Sequence, residues 1–340
     1  MASLQGAASF KPRYTYIERP YVMHTLVVVS VLILAPCSLG LSSLCDLSDA
    51  DLRLGGWKVV VDENFAGGEL NASLWTGRYS NYTAGHENEA QSYVPGNARI
   101  QDGKLVISTK KEKFLNKNYT SAWIDTSGKF EALYGRFCVR ANLPGKQPGF
   151  WPAHWLMPGR GHEKLCWPGP GEVDIMEMIN GDGVVHGSLH YNAMFPETHQ
   201  CSSPHMSTTG VLPYLSLDQY NTTFHEYAIE WSSESLTYYV DGVKYVSTYP
   251  NDRDKDGVPQ VPMYIIINSA LGGGWAGPPN QDTHFPILHT VDYVRVLQSS
   301  GEGKSRAHFT GTTGVDEQAF APFTQRQADV LHDRAAKRAQ

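Results

Sequence analysis

The chain has 340 residues, of which 41% are hydrophobic and 18% charged, and its formal net charge is -6. This composition excludes a disordered chain, a collagen and a coiled coil, because it supplies enough apolar surface for one substantial core. With 32 Gly, 20 Pro and 11% aromatic residues it favours many turns and short strands, and the absence of a basic run predicts no nucleic-acid partner.

The N-terminal region holds one long apolar run, residues 25–34, with basic residues before it and small residues near Gly40 after it. This pattern predicts a signal peptide over residues 1–40 and a secreted, extracellular protein. A retained signal anchor is the alternative, although a spanning helix needs about 20 apolar residues. We therefore expect contact with a membrane only if this segment is retained. Residues 41–56 are predicted to be a linker.

Two further features agree with secretion. Four N-x-S/T sequons occur, at Asn71, Asn81, Asn118 and Asn221. Cys166 and Cys201 lie in polar, turn-rich stretches, and we predict that they form a disulfide. Cys138, in the strand-like run GRFCVRA, is predicted to be a buried free thiol. No C-x-x-C pair supports a zinc site.

Residues 57–298 alternate strand-like runs with turn residues and contain no convincing amphipathic helix. Strands are predicted over 104–109, 134–140, 186–191, 262–268 and 291–297. Asp241 and Gly242 predict a two-residue hairpin turn within 237–246. This density of short strands indicates one antiparallel β-sandwich. Residues 299–340 form a polar tail with a weak helical pattern over 326–339, which we expect to be peripheral.

The segment GEVDIMEMIN, residues 171–180, is predicted to be an acidic strand. Glu172 and Asp174 alternate with apolar residues, as in a half-buried strand. Strict alternation would turn Glu177 to the apolar side. A one-residue bulge near Ile175 and Met176 restores it to the acidic face. We therefore expect three carboxylates on one face of a single strand.

Three interpretations of this acidic face are open. A solvated strand face is the simplest, but acidic residues are disfavoured in strands and neighbouring like charges repel. A site for Ca²⁺ or Mg²⁺ is the second, since both prefer oxygen ligands. The third is glycosidic bond cleavage by two carboxylates, with aromatic side chains as platforms for sugars. Trp151, Trp155 and Trp167 favour it, because they lie among Gly and Pro in the neighbouring segments.

The E-x-D-x-x-E pattern at Glu172, Asp174 and Glu177 resembles that of glycoside hydrolase family 16, the laminarinase-like β-glucanases. The similarity extends through WPAHW, CWP, HGSLHY, FHEYAIEW, YVDG, LGGGWAG and VDYVRV, in the family's order and over about 240 residues. The resemblance implies an all-β fold, a concanavalin A-like jelly-roll sandwich of two antiparallel sheets with an open concave cleft. The catalytic domain would span residues 57–298.

The resemblance also implies roles for individual residues. Glu172 would be the nucleophile, Glu177 the acid/base, and Asp174 the residue that assists between them. Residues predicted to bind substrate are His190 beside the acid/base, Trp151, Trp155, Trp167 and Trp275 at the sugar subsites, and Asn88 and Glu89 at the glycone end of the cleft. Trp123, in TSAWIDT, departs from the family pattern, because many laminarinases have Arg there. Substrate preference therefore cannot be copied directly.

The expected activity is endo-acting, retaining hydrolysis of β-1,3-glucans, and of mixed β-1,3/1,4-glucans as a further possibility, by a monomer that needs no cofactor for catalysis. Asp292 matches a ligand of the structural calcium found in many relatives, with Glu63 as a second ligand. Three alternatives remain open at this point: a transglycosylase, a galactan hydrolase of the same fold, and a non-catalytic β-glucan recognition protein.

Overall fold

The computed structural model describes residues 43–79, 89–162, 167–192, 205–212, 221–248, 257–300 and 306–309. The predicted signal segment, Asn81, Asn88, the Cys166–Cys201 pair and the helical pattern at 326–339 lie outside these ranges. Within them, no helix is both long enough and apolar enough to cross a bilayer. The elements in chain order are α1 Asp49–Leu54, β1 Trp57–Glu63, β2 Thr76–Gly77, β3 Gln91–Tyr93, β4 Ala98–Gln101, β5 Lys104–Thr109, β6 Tyr119–Ser121, β7 Trp123–Asp125, β8 Phe130–Leu133, β9 Gly135–Asn142, β10 Phe150–Pro158, β11 Glu172–Glu177, β12 Val185–Asn192, β13 His205–Leu212, β14 His225–Trp231, β15 Leu236–Val240, β16 Val243–Thr248, β17 Met263–Leu271, α2 Gly273–Ala276, β18 Ile287–Ser299 and β19 Arg306–Phe309.

Two antiparallel sheets form a β-sandwich, and a small parallel pair, β3 and β6, lies beside them. The front sheet has the order β13-β12-β11-β10-β17-β7-β2, with β8 paired to β17 and β19 paired to β8. The back sheet has the order β16-β15-β14-β9-β18-β5-β4, with β1 paired to β18. The predicted jelly-roll sandwich is confirmed. The segment predicted as a polar tail contributes β19 to the front sheet.

Alternating side chains explain how the two sheets pack. In β9, Phe137 and Val139 are buried between the sheets, where they join Val173 and Leu189 of the front sheet in the main core. The hairpin between β15 and β16 turns at Asp241 and Gly242, which have φ values of 50° and 72°. A two-residue turn of this kind needs positive φ at both positions, as the Asp-Gly pair predicts.

The outer face of the back sheet is covered by the segment that precedes β1. Cys138 points to this outer face and forms a disulfide with Cys45, so the prediction of a free thiol is wrong. Glu226 accepts hydrogen bonds from Leu44 N (2.6 Å) and from Ser43 Oγ (2.5 Å). Residues 43–45 are thus fixed to the back sheet by a covalent bond and by a buried carboxylate.

The residues suggested for a structural calcium do not fit that ion. Asp292 accepts a hydrogen bond from Lys104 Nζ at 2.7 Å on one oxygen and from Arg140 Nη1 on the other. Burial acts in the opposite direction, but these two donors lower the pKa of Asp292 below its ordinary value. Glu63 accepts from the backbone N–H of Phe65 at 2.8 Å. Two cationic side chains already neutralise the Asp292 carboxylate, and a third cation would be repelled.

Candidate active site

The three predicted carboxylates lie on β11, in the middle of the front sheet. Residues opposite each other in an antiparallel pair share a face. Asp174 lies opposite Trp155 of β10 and Ser188 of β12. The register with β12 shifts between Asp174 and Glu177, so the predicted bulge is confirmed. Glu177 is thereby returned to the face of Asp174, away from the core between the sheets.

Ile175 and Met176, the two residues inside this bulge, are both buried in the core between the sheets. Asp174 is 3% exposed, while Glu172 and Glu177 are half-buried. The bulge thus lets two consecutive apolar side chains anchor the strand while the acidic groups stay on its outer face. The same six residues paired without a bulge would have placed Glu177 in the core.

The two glutamates each accept a hydrogen bond from a tryptophan indole, and Asp174 lies beside a histidine. Trp167 Nε1 donates to Glu172 Oε2 at 2.8 Å, and Trp151 Nε1 donates to Glu177 Oε1 at 2.9 Å. His190 Nε2 lies 3.1 Å from Asp174 Oδ2. Hydrogen bonds to a carboxylate favour its ionised form and fix its orientation. Glu172 and Glu177 are therefore each oriented by a hydrogen bond from a different tryptophan.

Burial and mutual repulsion raise the proton affinity of the group. Burial, and then the charge of Asp174, raise the pKa of Glu177 to about 8. Burial also raises the pKa of Asp174 and Glu172, and for Glu172 the charge of Asp174 adds to the effect. For Glu172, His190 and the Trp167 indole act in the opposite direction. Near neutral pH the cluster can therefore hold one carboxylate ionised beside a neighbour that keeps its proton.

The predicted aromatic residues surround this strand but differ in exposure. Trp167 and Trp275 are 50% and 42% exposed, so their faces are open to a ligand. Trp151 is only 6% exposed, because it packs edge-on against Trp275 with ring centroids 5.3 Å apart. Trp275 also meets the His186 ring at 4.8 Å. Trp151 thus serves the site mainly through its N–H, and Trp275 offers the open ring at that end.

Glu89 lies at the same end of the site as Trp151 and Trp275. It pairs with Gly272 in an isolated bridge, and its Oε2 accepts from Gln91 Nε2 at 2.7 Å. Burial raises the pKa of Glu89, which is 5% exposed. Only Gly fits at position 273, since a Cβ there would lie 3.3 Å from the Trp151 ring and the residue has a φ of +85°. The loop after β17 therefore closes tightly over Trp151 beside Glu89.

Two polar groups of the site were missed in the sequence. Asn268 Oδ1 accepts from Trp155 Nε1 at 2.8 Å, and Asn268 Nδ2 donates to Tyr93 Oη at 3.0 Å. Asp125 accepts from Trp123 Nε1 at 3.0 Å. Asn268 could have been found as the polar residue after the apolar run YIII of β17. The Asp125 contact had no comparable signal.

One group of the site also has the ligand types of a metal centre. Glu172, Asp174 and His190 offer ligand atoms within 4.8 Å of one another. The described residues contain a second such group, Cys45, Cys138 and Glu226, but its two sulfur atoms form the disulfide. In the first group, Glu172 Oε2 accepts a hydrogen bond from the Trp167 indole N–H. This contact favours the two-carboxylate chemistry over a metal centre.

Comparison with known proteins identifies the family. Residues 85–295 match the profile of the glycosyl hydrolases family 16. The chain belongs to this family. It is 34% identical over 267 residues to a β-glucanase from Rhodothermus marinus, a match that covers 74% of this chain and 88% of the relative. The laminarinase catalytic domain from Thermotoga maritima MSB8 superimposes with a TM-score of 0.62 at 32% identity, covering 71% of this chain and 98% of that domain.

One relative of the chain is named for binding. A β-1,3-glucan-binding protein from Penaeus monodon is 28% identical over 184 residues, which cover 45% of this chain and 47% of that protein. This match is shorter and weaker than the match to the β-glucanase. The chain is a laminarinase-like glycoside hydrolase of family 16.

Proposed function

We propose that the protein is a secreted, endo-acting β-1,3-glucanase that retains anomeric configuration. The observation that carries this proposal is the bulged strand β11, which sets Glu172 and Glu177 on one face with Asp174 between them. Retaining glycosidases hold two carboxyl groups about 5 to 5.5 Å apart, so that one can attack directly. The laminarinase-like relatives support the choice of β-1,3-glucan as substrate class.

In the first step, the Glu172 carboxylate attacks the anomeric carbon while the Glu177 carboxyl donates its proton to the glycosidic oxygen. The bond between the anomeric carbon and that oxygen breaks, and a glycosyl ester on Glu172 forms. In the second step, Glu177 accepts a proton from a water molecule, whose oxygen replaces Glu172 at the same carbon. Two inversions return the β configuration, and the enzyme regains its initial protonation state.

The environments of the two glutamates are alike. Burial and the charge of Asp174 raise the pKa of each to about 8, while a tryptophan indole and His190 oppose the rise in each. The charge of Glu177 also raises the pKa of Glu172, so the pair favours one ionised and one protonated carboxyl, and the family pattern assigns the ionised one to Glu172. Asp174, buried between them and contacted by His190, fixes the geometry of the pair.

NMR of the first-formed product from laminarin tests the stereochemistry. We expect the β anomer, and an initial α anomer would contradict the proposal. Glu177→Gln should slow laminarin hydrolysis far more than hydrolysis of an activated aryl β-glucoside oligomer, because a good leaving group needs little protonation. Glu172→Gln should stop turnover of both substrates. Equal slowing of both substrates by Glu177→Gln would remove this residue from the acid role.

Two other functions give different results in the same assay. A transglycosylase would pass the glycosyl group from Glu172 to a sugar hydroxyl, so longer oligosaccharides would accumulate at the expense of new reducing ends. A glucan-binding protein would retain laminarin without releasing reducing ends. Both catalytic glutamates are present, which supports an enzyme over a binding protein. Comparison of laminarin, mixed-linkage glucan, xyloglucan and agarose would identify the preferred polysaccharide.

Secretion is supported by the disulfide between Cys45 and Cys138, since such bonds persist in oxidising compartments. Asn71 and Asn118 are exposed and available for N-glycosylation. The side-chain oxygen of Asn221 is buried, and its amide nitrogen packs against Gly145, so we expect no glycan there. Expression in a eukaryotic host with mass analysis before and after enzymatic deglycosylation tests this, since retention inside the cell or a glycan on Asn221 would contradict it.

A further inference from the structure

Trp123 lies on the same face of the front sheet as Glu177, three strands away from it. Directly opposite residues link the two positions across the front sheet, from Glu177 on β11 to Ala153 on β10, Asn268 on β17 and Trp123 on β7. Neighbouring strands lie about 4.8 Å apart, so three steps place Trp123 roughly 14 Å from Glu177. Trp123 is therefore too distant to touch the bond that breaks, and it would meet a sugar farther along the chain.

The Trp123 ring belongs to a wall of three aromatic side chains. It meets the Trp155 ring edge-on at 5.1 Å and the Tyr93 ring at 5.6 Å. Asn268 fixes the other two rings, since it accepts from Trp155 Nε1 and donates to Tyr93 Oη. Tyr93 is buried, whereas Trp123 and Trp155 are partly exposed. The two tryptophan rings, held in this way, offer apolar faces at low cost in conformational entropy.

An ion pair behind the wall holds Trp123. Arg78 Nε and Nη2 donate to the two oxygens of Asp125, each at 2.6 Å. Asp125 also accepts from Trp123 Nε1 at 3.0 Å, and the backbone N–H of Arg78 donates to the Trp123 carbonyl at 2.9 Å. Arg78 therefore contacts the backbone of Trp123 directly and its indole through Asp125.

The Asp125 side chain is 3% exposed, so the ion pair is largely removed from water. Desolvation makes such a pair a weak source of stability compared with an apolar replacement. Its bidentate geometry, by contrast, fixes the carboxylate in one orientation. Because Asp125 also accepts a hydrogen bond from the Trp123 indole, the oriented carboxylate holds the Trp123 ring in place.

We propose that Arg78 and Asp125 are positioning residues that hold Trp123 as a distal wall for a glucose unit of the substrate. This inference rests on the proposed function and extends it to substrate length. The wall contributes to binding only when the glucan is long enough to reach it. Wild-type kcat/KM should therefore rise steeply between short and long β-1,3-linked oligosaccharides.

The experiment measures kcat/KM on laminari-oligosaccharides of three to seven glucose units. In Trp123→Ala and Arg78→Gln, the ratio of kcat/KM for the longest to that for the shortest substrate should fall roughly tenfold, which corresponds to about 1.4 kcal/mol. Trp123→Phe keeps a ring but cannot donate to Asp125, and its ratio should fall by a smaller factor. If Arg78→Gln folds poorly, the double variant Arg78→Gln/Asp125→Asn takes its place, because it leaves no unpaired buried charge. The same fall in the ratio is expected for it.

A matched control exists on the back sheet. Arg136 Nε donates to Glu230 at 2.8 Å, and its guanidinium lies over the Trp57 ring at 4.1 Å. Arg136→Gln should lower Tm without changing the length dependence. If Arg78→Gln or the double variant lowers Tm but keeps the wild-type length dependence, the pair is only structural and the inference is wrong. If the wild type cleaves none of the oligosaccharides, the proposed function fails and the inference fails with it.

Discussion

Trp167 Nε1 donates a 2.8 Å hydrogen bond to Oε2 of Glu172, and a second indole, that of Trp151, makes the equivalent contact with Glu177 at 2.9 Å. Both tryptophans were expected to act as sugar platforms. The contacts give each of them a second role, because an N–H donor stabilises the ionised form of the carboxylate it binds. Each glutamate can therefore be perturbed alone by replacing its indole with a ring that has no donor.

Trp167→Phe should move the acid limb of the pH profile upward. The indole donor lowers the pKa of Glu172, so its removal raises that pKa. The nucleophile must be ionised, and activity is lost as pH falls through its pKa. A hydrogen bond to a charged group is worth roughly 1.5 to 3 kcal/mol and one pKa unit is about 1.4 kcal/mol, so we expect the limb to move by about one unit. The profile of kcat/KM against pH measures it.

Trp151→Phe should move the opposite limb. The donor lowers the pKa of Glu177, which burial and Asp174 raise to about 8. The acid must be protonated, and activity is lost as pH rises through its pKa. Removal of the indole N–H therefore extends activity to higher pH, by up to about one unit on the same reasoning. The kcat/KM profile of this variant between pH 6 and pH 10 measures the shift.

Trp155→Phe is the matched control for both variants, because the Trp155 indole donates to Asn268 and to neither glutamate. Its two limbs should coincide with those of the wild type, whatever happens to its KM. If Trp167→Phe moves the alkaline limb, or Trp151→Phe the acid limb, the assignment of nucleophile and acid must be exchanged.

Local patterns predicted those parts of the fold that depend on neighbours in sequence. The spacing of the acidic and apolar residues around Glu177 predicted a bulge in β11, and the structure has one. Asp241-Gly242 predicted a hairpin turn, which is also present. The exposure of Trp151 was not predictable in this way. Its ring is covered by Trp275, which lies more than a hundred residues later and reaches it only through the packing of α2 after β17.

Two contacts that the sequence analysis did not predict join residues far apart in the chain. Cys138 was expected to be a free thiol, because its partner Cys45 is 93 residues away in a segment with no strand pattern. Arg78 and Asp125 are 47 residues apart and meet only because β2 pairs with β7. Neither contact has a local signal, since each depends on which strands become neighbours in the sheet.

Replacement of both disulfide cysteines, Cys45→Ala/Cys138→Ala, should lower the free energy of unfolding by about 4 to 5 kcal/mol. A cross-link that closes a loop of this length reduces the entropy of the unfolded chain by about that amount. Urea unfolding followed by tryptophan fluorescence measures the change. The disulfide lies on the back sheet, so the length dependence and pH limbs of the folded variant should match the wild type. An unchanged unfolding free energy would show that the 43–45 segment is held by Glu226 alone.

The core between the sheets contains a pair of histidines that should make the protein sensitive to acid. His154 Nε2 and His289 Nε2 lie 2.9 Å apart, and His289 Nδ1 is 3.1 Å from Ser269 Oγ. Both rings are fully buried. Burial lowers the pKa of His289 to about 3, and burial together with the neighbouring ring lowers the pKa of His154 well below its ordinary value. Folding therefore requires both rings to stay neutral.

The double variant His154→Leu/His289→Leu should be less sensitive to acid than the wild type. A histidine with a lowered folded-state pKa contributes stability above its unfolded pKa near 6.5, and this contribution is lost as pH falls toward the folded value. The wild type should thus lose up to about 1.4 kcal/mol per pH unit for each histidine, relative to the variant. The raised pKa values on β11 have the opposite sign, but they are common to both proteins and cancel in the difference. Urea unfolding at a series of pH values from 7.5 to 4 measures that difference, and parallel curves would mean that the pair does not control acid stability.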